Sequence, residues 1–187
     1  AGGGPCSWAL EEHIRHGLPA FATPDAARTF NDNLDEVRAS GVTIVSEDEA
    51  RWLDGEPVEL RDLDLEAVRG ALAAFDEPVM FDGLALGCLD HGDAPPGVSD
   101  RLFRFEHLQR TVAARNDLLA FARRAEDLEP YLTRARALCG SALGEGDVAF
   151  MDTGPAAALG ALHDEAVSAA DEQIVVNLGN MHLLGFH

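Results

Sequence analysis

Three polar turns in this chain follow apolar runs, and each carries residues that could do chemistry. Asp90-His91-Gly92 follows GLALGCL, Asp152-Thr153-Gly154 follows VAFM, and Asn177-Leu178-Gly179-Asn180 follows IVV. A carboxylate at a strand end can serve as general base or metal ligand, and a histidine beside it can move a proton. Glycine in such a turn lets backbone N–H groups approach an anion, and a helix start just after it favours negative charge. Gly2, Gly3 and Gly4, ahead of a helix expected to begin near Pro5, form a fourth place of this kind. What the glycines in these places offer in common is a backbone able to approach an anion. Asp90, His91 and Asp152 are the ionisable side chains at these turns, and Arg101 and Arg104 lie in the next predicted helix after Asp90.

Each of these has a plainer reading. Asp90-His91 suits a turn held by its own side chain, Asp152-Thr153 a helix cap, and Asn177 to Asn180 an ordinary hairpin. The glycine triplet lacks a G-x-x-x-x-G-K-[ST] pattern and so is not a Walker loop. A hydrolase acting through Asp90-His91 would lack a nucleophile motif such as G-x-S-x-G.

Strands and helices must alternate to position these turns. SWALEEHIRHG reads as a helix closed by Gly17, and PAFAT as a short strand. Thr23 with Pro24 opens a predicted helix running to Gly41, VTIVS is a compact β-branched strand, and Ser46 with Glu49 forms a capping-box pattern. VELRDL reads as extended. A helix from Asp64 to Phe75, an extended VMFDGLALGCLDHG, helices over 101–125 and 130–142, the strand DVAFM, the helix GPAAALGALH and a buried strand QIVVNLG complete the pattern. The expected fold class is α/β, a mixed sheet flanked by helices. In such a sheet the turns after VAFM and IVV share an edge, which predicts that Gly154 and Gly179 face one cleft.

Composition limits the partners. The 187 residues carry a formal charge of -19, from 33 acidic and 14 basic residues, and every basic residue is arginine. That balance argues against nucleic acid and anionic membranes as partners. Carboxylates in excess with lysine absent suit a cytoplasm rich in potassium salts, where self-repulsion is screened. Cys6, Cys88 and Cys139 are far apart and form no C-x-x-C pair, so a reducing compartment is expected. No apolar run approaches the ~20 residues needed to span a bilayer, and the expected location is cytoplasmic. Nothing in the sequence fixes an oligomeric state.

The strings GGGPCSWAL, ATPDAARTFNDNLDEVRASGVTIVSEDEA, LDHGDAPPGVSDRLFRFEHL, MDTGPAAALGAL and IVVNLGNMHLLGFH together resemble the prokaryotic domain of unknown function 1786 family. Its members are often labelled as related to the pyruvate formate-lyase activating enzyme, and the family is grouped with the actin-like ATPase superfamily. The resemblance implies an actin-like, ribonuclease H-like fold. It also implies a small phosphorylated ligand or nucleotide as partner, with ATP and Mg2+ as the cofactors.

On that reading IVVNLGNMHLLGFH corresponds to the superfamily's second phosphate hairpin, usually Asp-x-Gly-x-Gly-Thr. Asn177 takes the acidic position, Gly179 the first glycine and Asn180 the second, while His182 lies close to the usual threonine. Gly3, Gly4, Thr153 and Gly154 join these as expected ligand contacts. An amide at position 177 cannot anchor a magnesium-bound water as a carboxylate does. The family's first phosphate hairpin normally precedes the GGGP segment, and the rest of its second subdomain follows the last strand. Residues 1–187 are therefore expected to form a single α/β fragment. The function implied is nucleotide or phosphoester binding, with ATPase or phosphotransferase activity in the complete protein; the alternative is a non-catalytic regulatory or binding module. In the catalytic case the resemblance makes Asp152 the first candidate for general base or metal-bound carboxylate, with Asp90 and His91 second and Arg101 or Arg104 available to neutralise developing charge. Activating-enzyme chemistry requires C-x-x-x-C-x-x-C to hold a [4Fe-4S] cluster. No such triplet occurs, so no iron-sulfur cluster is expected.

Overall fold

The computed structural model describes residues 5–77, 80–179 and 183–187. They fall into two compact units that divide between Asp62 and Leu63.

The first unit contains α1 (Pro5–Arg15), β1 (Ala20–Ala22), α2 (Pro24–Ala27), α3 (Leu34–Ala39), β2 (Val42–Ile44) and α4 (Glu47–Ala50). The two strands run parallel, Ala20 opposite Val42 and Ala22 opposite Ile44. Ala27, Val37 and Val42 form a small core, against which Ile14, Phe30 and Leu34 pack. The single helix expected from Pro24 to Gly41 is broken after α2. Asn31 accepts from Asn33 N at 2.8 Å, and Asn33 accepts from Asp35 N at 3.0 Å, capping α3. Amide side chains that bond nearby backbone compete with the helix in this way. The capping box at Ser46 and Glu49 is present in both halves.

The second unit opens with α5 (Leu65–Ala74), β3 (Gly83–Leu86) and α6 (Asp100–Ala114), then a 3-10 helix at Leu118–Phe121 and β4 (Arg123–Arg124). It continues through α7 (Thr133–Gly140), β5 (Asp147–Phe150), α8 (Thr153–Ala161), α9 (Glu165–Ser168), β6 (Val175–Leu178) and β7 (Leu183–Phe186). Helix α6 stops well short of the predicted position 125. Asp117 accepts from Leu119 N at 2.8 Å and starts the 3-10 helix instead.

The architecture is thus mixed α/β, but pairing is divided among small sheets. β3 lies parallel to β5, and β4 antiparallel to β5 on its other side. Among the described residues β6 pairs only with β7, with Asn177 opposite Leu184 and Leu178 opposite Leu183. The turns after β5 and β6 therefore do not end strands of one sheet. Nor is β6 buried as its apolar run suggested: Val176 and Leu178 point outward, because successive side chains of a strand take opposite faces and only one face is covered. The other face meets α8, which packs against β6. Leu65, Leu132, Leu138, Val148 and Phe150 are among the core residues of this unit. Among the described residues no helix is long and apolar enough to cross a membrane.

Candidate functional site

Because β3 and β5 are parallel, the turns that follow them leave the sheet side by side, and Met151 N donates to Leu86 O at 3.0 Å. Asp90 and Asp152 emerge there, and α6 supplies what lies between them. That helix is built inside out. Leu102, Phe105 and Val112 are substantially exposed, whereas Arg104 and Thr111 are buried and His107 is half-buried. Positions 104, 107 and 111 lie on one helical face. A helix retained only for packing would bury its apolar stripe, so the inward polar face marks this region as the candidate site.

Arg104, 2% exposed, holds the site together. Its Nη1 donates to Asp152 Oδ2 at 2.6 Å and its Nη2 to Asp152 Oδ1 at 3.0 Å, a bidentate pair. Nη1 also donates to the Asp90 carbonyl oxygen at 2.9 Å. Asp152 Oδ1 further accepts from Gly154 N at 2.9 Å, so the residue caps α8 as the sequence allowed.

Both carboxylate oxygens of Asp90 are engaged as a brace. Its Oδ1 accepts from Gly92 N at 2.8 Å, closing a turn. Its Oδ2 accepts from Ala135 N at 2.8 Å in the first turn of α7, whose own cap position is Leu132 and supplies no side-chain bond. Gly92 has φ +79, and a Cβ there would come within 2.8 Å of the Phe103 ring. The plain reading of the Asp90-His91-Gly92 turn thus accounts for Asp90 and Gly92; His91 is half-buried beside them.

The structure brings Asp90, Asp152, Thr153 and Gly154 together, and it adds the hairpin through Leu184. A Cβ on Gly154 would overlap Leu184 Cδ1, and Leu184 is the cross-strand partner of Asn177. Asn177 is half-buried, Thr153 and Gly179 are exposed, and Arg101 lies exposed in the first turn of α6. Gly3, Gly4, Asn180 and His182 lie outside the described residues.

Sequence reasoning missed the groups beside Arg104. His107 Nδ1 and the Tyr131 hydroxyl are hydrogen-bonded at 3.0 Å, with the rings edge to face. The Arg110 guanidinium lies 5.9 Å from the centre of the Tyr131 ring. Burial pushes the His107 pKa below its ordinary value and the Tyr131 pKa above its own, so both favour the neutral form. The signal available was the Arg-His-Thr spacing on α6, which puts three polar side chains where a packing helix would place apolar ones.

Asp90, Arg104, His107, Arg123, Glu129 and Asp152 supply the polar lining of a cavity of about 20 Å³. It has room for one water and for nothing as large as a nucleoside phosphate. Nor do the described residues fit Mg2+. Asp152 has given three of its roughly four acceptor sites to Arg104 and Gly154, position 177 is an amide, and among the described residues no cluster of three or more His, Cys, Asp or Glu is placed to hold a metal.

Fold and site together define a mixed α/β protein whose parallel strand ends carry an arginine-locked carboxylate. The chain belongs to the domain of unknown function 1786 family, whose model matches residues 1–187 and is described as "Putative pyruvate format-lyase activating enzyme (DUF1786)". No curated protein and no solved structure matches it. Cys6 is exposed, Cys88 and Cys139 are buried in the second unit, and burial raises the Cys139 pKa, away from the thiolate that ligates iron.

Proposed function

We propose that this chain is a domain of an actin-like, nucleotide- or phosphoester-binding protein, and that it binds its ligand without turnover at Asp152. The ligand class comes from the resemblance of IVVNLGNMHLLGFH to a phosphate hairpin; the antiparallel pairing of β6 with β7 supports it. The observation that carries the lack of turnover is the bidentate Arg104–Asp152 pair. A general base needs an oxygen directed at the proton it takes, and this carboxylate is directed at a guanidinium and a helix start. Contact with phosphate falls to the exposed Gly179 rather than to Gly154, whose N–H already serves Asp152. The charge of -19 without lysine supports a salt-rich cytoplasm as its setting.

The second reading is an ATP-dependent phosphotransferase or phosphohydrolase. One observation favours it: the Asp152 side chain keeps 14% of its surface exposed at the carboxyl end of β5, where α/β proteins place their chemistry.

Thermal melts with ATP and with ADP, each with and without Mg2+, test ligand binding in the native protein and in Gly179→Val. A ligand at a hundred times its Kd adds about 2.7 kcal/mol to stability. The reading expects a raised midpoint in the native protein and a much smaller rise in the variant. No rise with either nucleotide, or an equal rise in both proteins, would remove it.

A further inference from the structure

Helix α6 turns its polar side inward, and that leaves an apolar line on its outer face. Leu102 is 54% exposed, Phe105 45% and Val112 38%, with the exposed Gln109 between the last two. Apolar side chains exposed singly are ordinary, but these stand in one row. Steps of three, four and three residues put Leu102 and Gln109 at the a positions of a seven-residue repeat and Phe105 and Val112 at the d positions, which is the spacing of a two-stranded helical seam. The same lettering places Arg101 at g and Glu106 at e, both exposed beside the row.

We propose that the outer face of α6 is a dimerisation surface, on which a second copy of this chain packs its own α6 in parallel about a two-fold axis. Parallel pairing in register sets each Arg101 against Glu106 of the second copy, the g-to-e step of five residues, and the two-fold makes that contact twice. Gln109 then meets its own copy, where an amide can both donate and accept. Antiparallel pairing about the middle of the row would set Gln109 against Phe105 and bury the amide without a partner. The face also suits a chain of charge -19. The exposed charges of α6 are Asp100, Arg101, Glu106 and Arg110, two of each sign, so two copies meet there without the repulsion of the remaining surface. Burial of Leu102, Phe105 and Val112 drives association, while the ion pairs choose partner and direction. The helix gives the seam only about two repeats, so the dimer is weak and depends on concentration. It does not rest on nucleotide binding, since Arg104 and His107 lie on the opposite side of the helix.

Sedimentation equilibrium of the full chain over a concentration series in moderate salt tests this, with circular dichroism to check the fold of each variant. The native protein should pass from monomer to dimer and stop there, because a two-fold contact closes. Leu102→Glu should abolish the dimer. Arg101→Glu turns both ion pairs into repulsions and should weaken association about tenfold, and adding Glu106→Arg should restore it, since the exchanged charges again face their opposites. A native mass that stays at the monomer at every concentration overturns the surface, whatever other segment or protein covers it, and that measurement needs no variant. A dimer that survives Leu102→Glu shows association through another face and overturns it too. A dimer indifferent to Arg101→Glu, or one that the double exchange does not rescue, overturns the parallel pairing.

Discussion

Arg104 and Asp152, 48 residues apart in sequence, meet through two parallel hydrogen bonds in which both guanidinium Nη atoms and both carboxylate oxygens take part. The pair ties the second turn of α6 to the turn that starts α8. Removing one partner of a buried pair leaves the other charge uncompensated, at a cost of about 3–5 kcal/mol. Arg104→Ala should approach that loss and also strip the Asp90 carbonyl of its donor. Asp152→Asn keeps an oxygen for the α8 cap and should cost less. Urea unfolding of both single variants and the double variant should give a coupling well above 1 kcal/mol. Additive losses would show that the pair is incidental.

Gly154 is small because Leu184 is against it. Gly154→Ala should cost about 1–3 kcal/mol by overpacking, and Leu184→Ala in the same chain should relieve most of the added strain while opening its own cavity. A double-mutant cycle checks this. If Gly154→Ala costs the same with either residue at position 184, the hairpin does not rest on α8 as described.

His107 gives the second unit a pH dependence of definite sign. Burial lowers its folded pKa from 6.5, while the unfolded chain keeps the ordinary value. Above 6.5 the ring is neutral in both states and contributes nothing. As pH falls through 6.5 the unfolded chain takes up the proton first, so stability is lost until the pH reaches the folded pKa. Between about pH 7.5 and 5.5 the native protein should therefore lose more stability than His107→Gln. Parallel losses in the two proteins would mean that the ring is not held neutral.

How far the sequence revealed this molecule can be judged from particular residues. The Ser46–Glu49 box, the Asp152 cap and the strands around VTIV and VAF were legible because they depend on neighbours in the chain. The break after α2 was missed because Asn31 and Asn33 compete for backbone bonds inside an otherwise helical pattern. Sheet partition was missed because an apolar run such as QIVVNLG does not say which strand it pairs with. Among site residues, Asp152 was legible as a strand-end carboxylate; its partner was one of two arginines considered. The His107–Tyr131–Glu129 group was not foreseen, since its members lie on three different segments that only the fold brings together.

The acidic surface should make stability rise with salt. Arg28–Asp25 at 3.1 Å and Arg38–Asp35 at 2.8 Å are exposed local pairs worth little, and 33 carboxylates face only 14 cations. Screening therefore removes more repulsion than attraction. Melts from about 0.1 M to 3 M potassium chloride should show a rising midpoint. A flat or falling midpoint would remove the halophilic reading.

Calorimetric titration of the protein with ATP in high salt, with free phosphate assayed in the same samples, separates binding from turnover. Saturable binding is expected, with phosphate released no faster than in buffer alone. Phosphate release above that background, abolished by Asp152→Asn, would contradict it and make Asp152 a catalytic carboxylate after all.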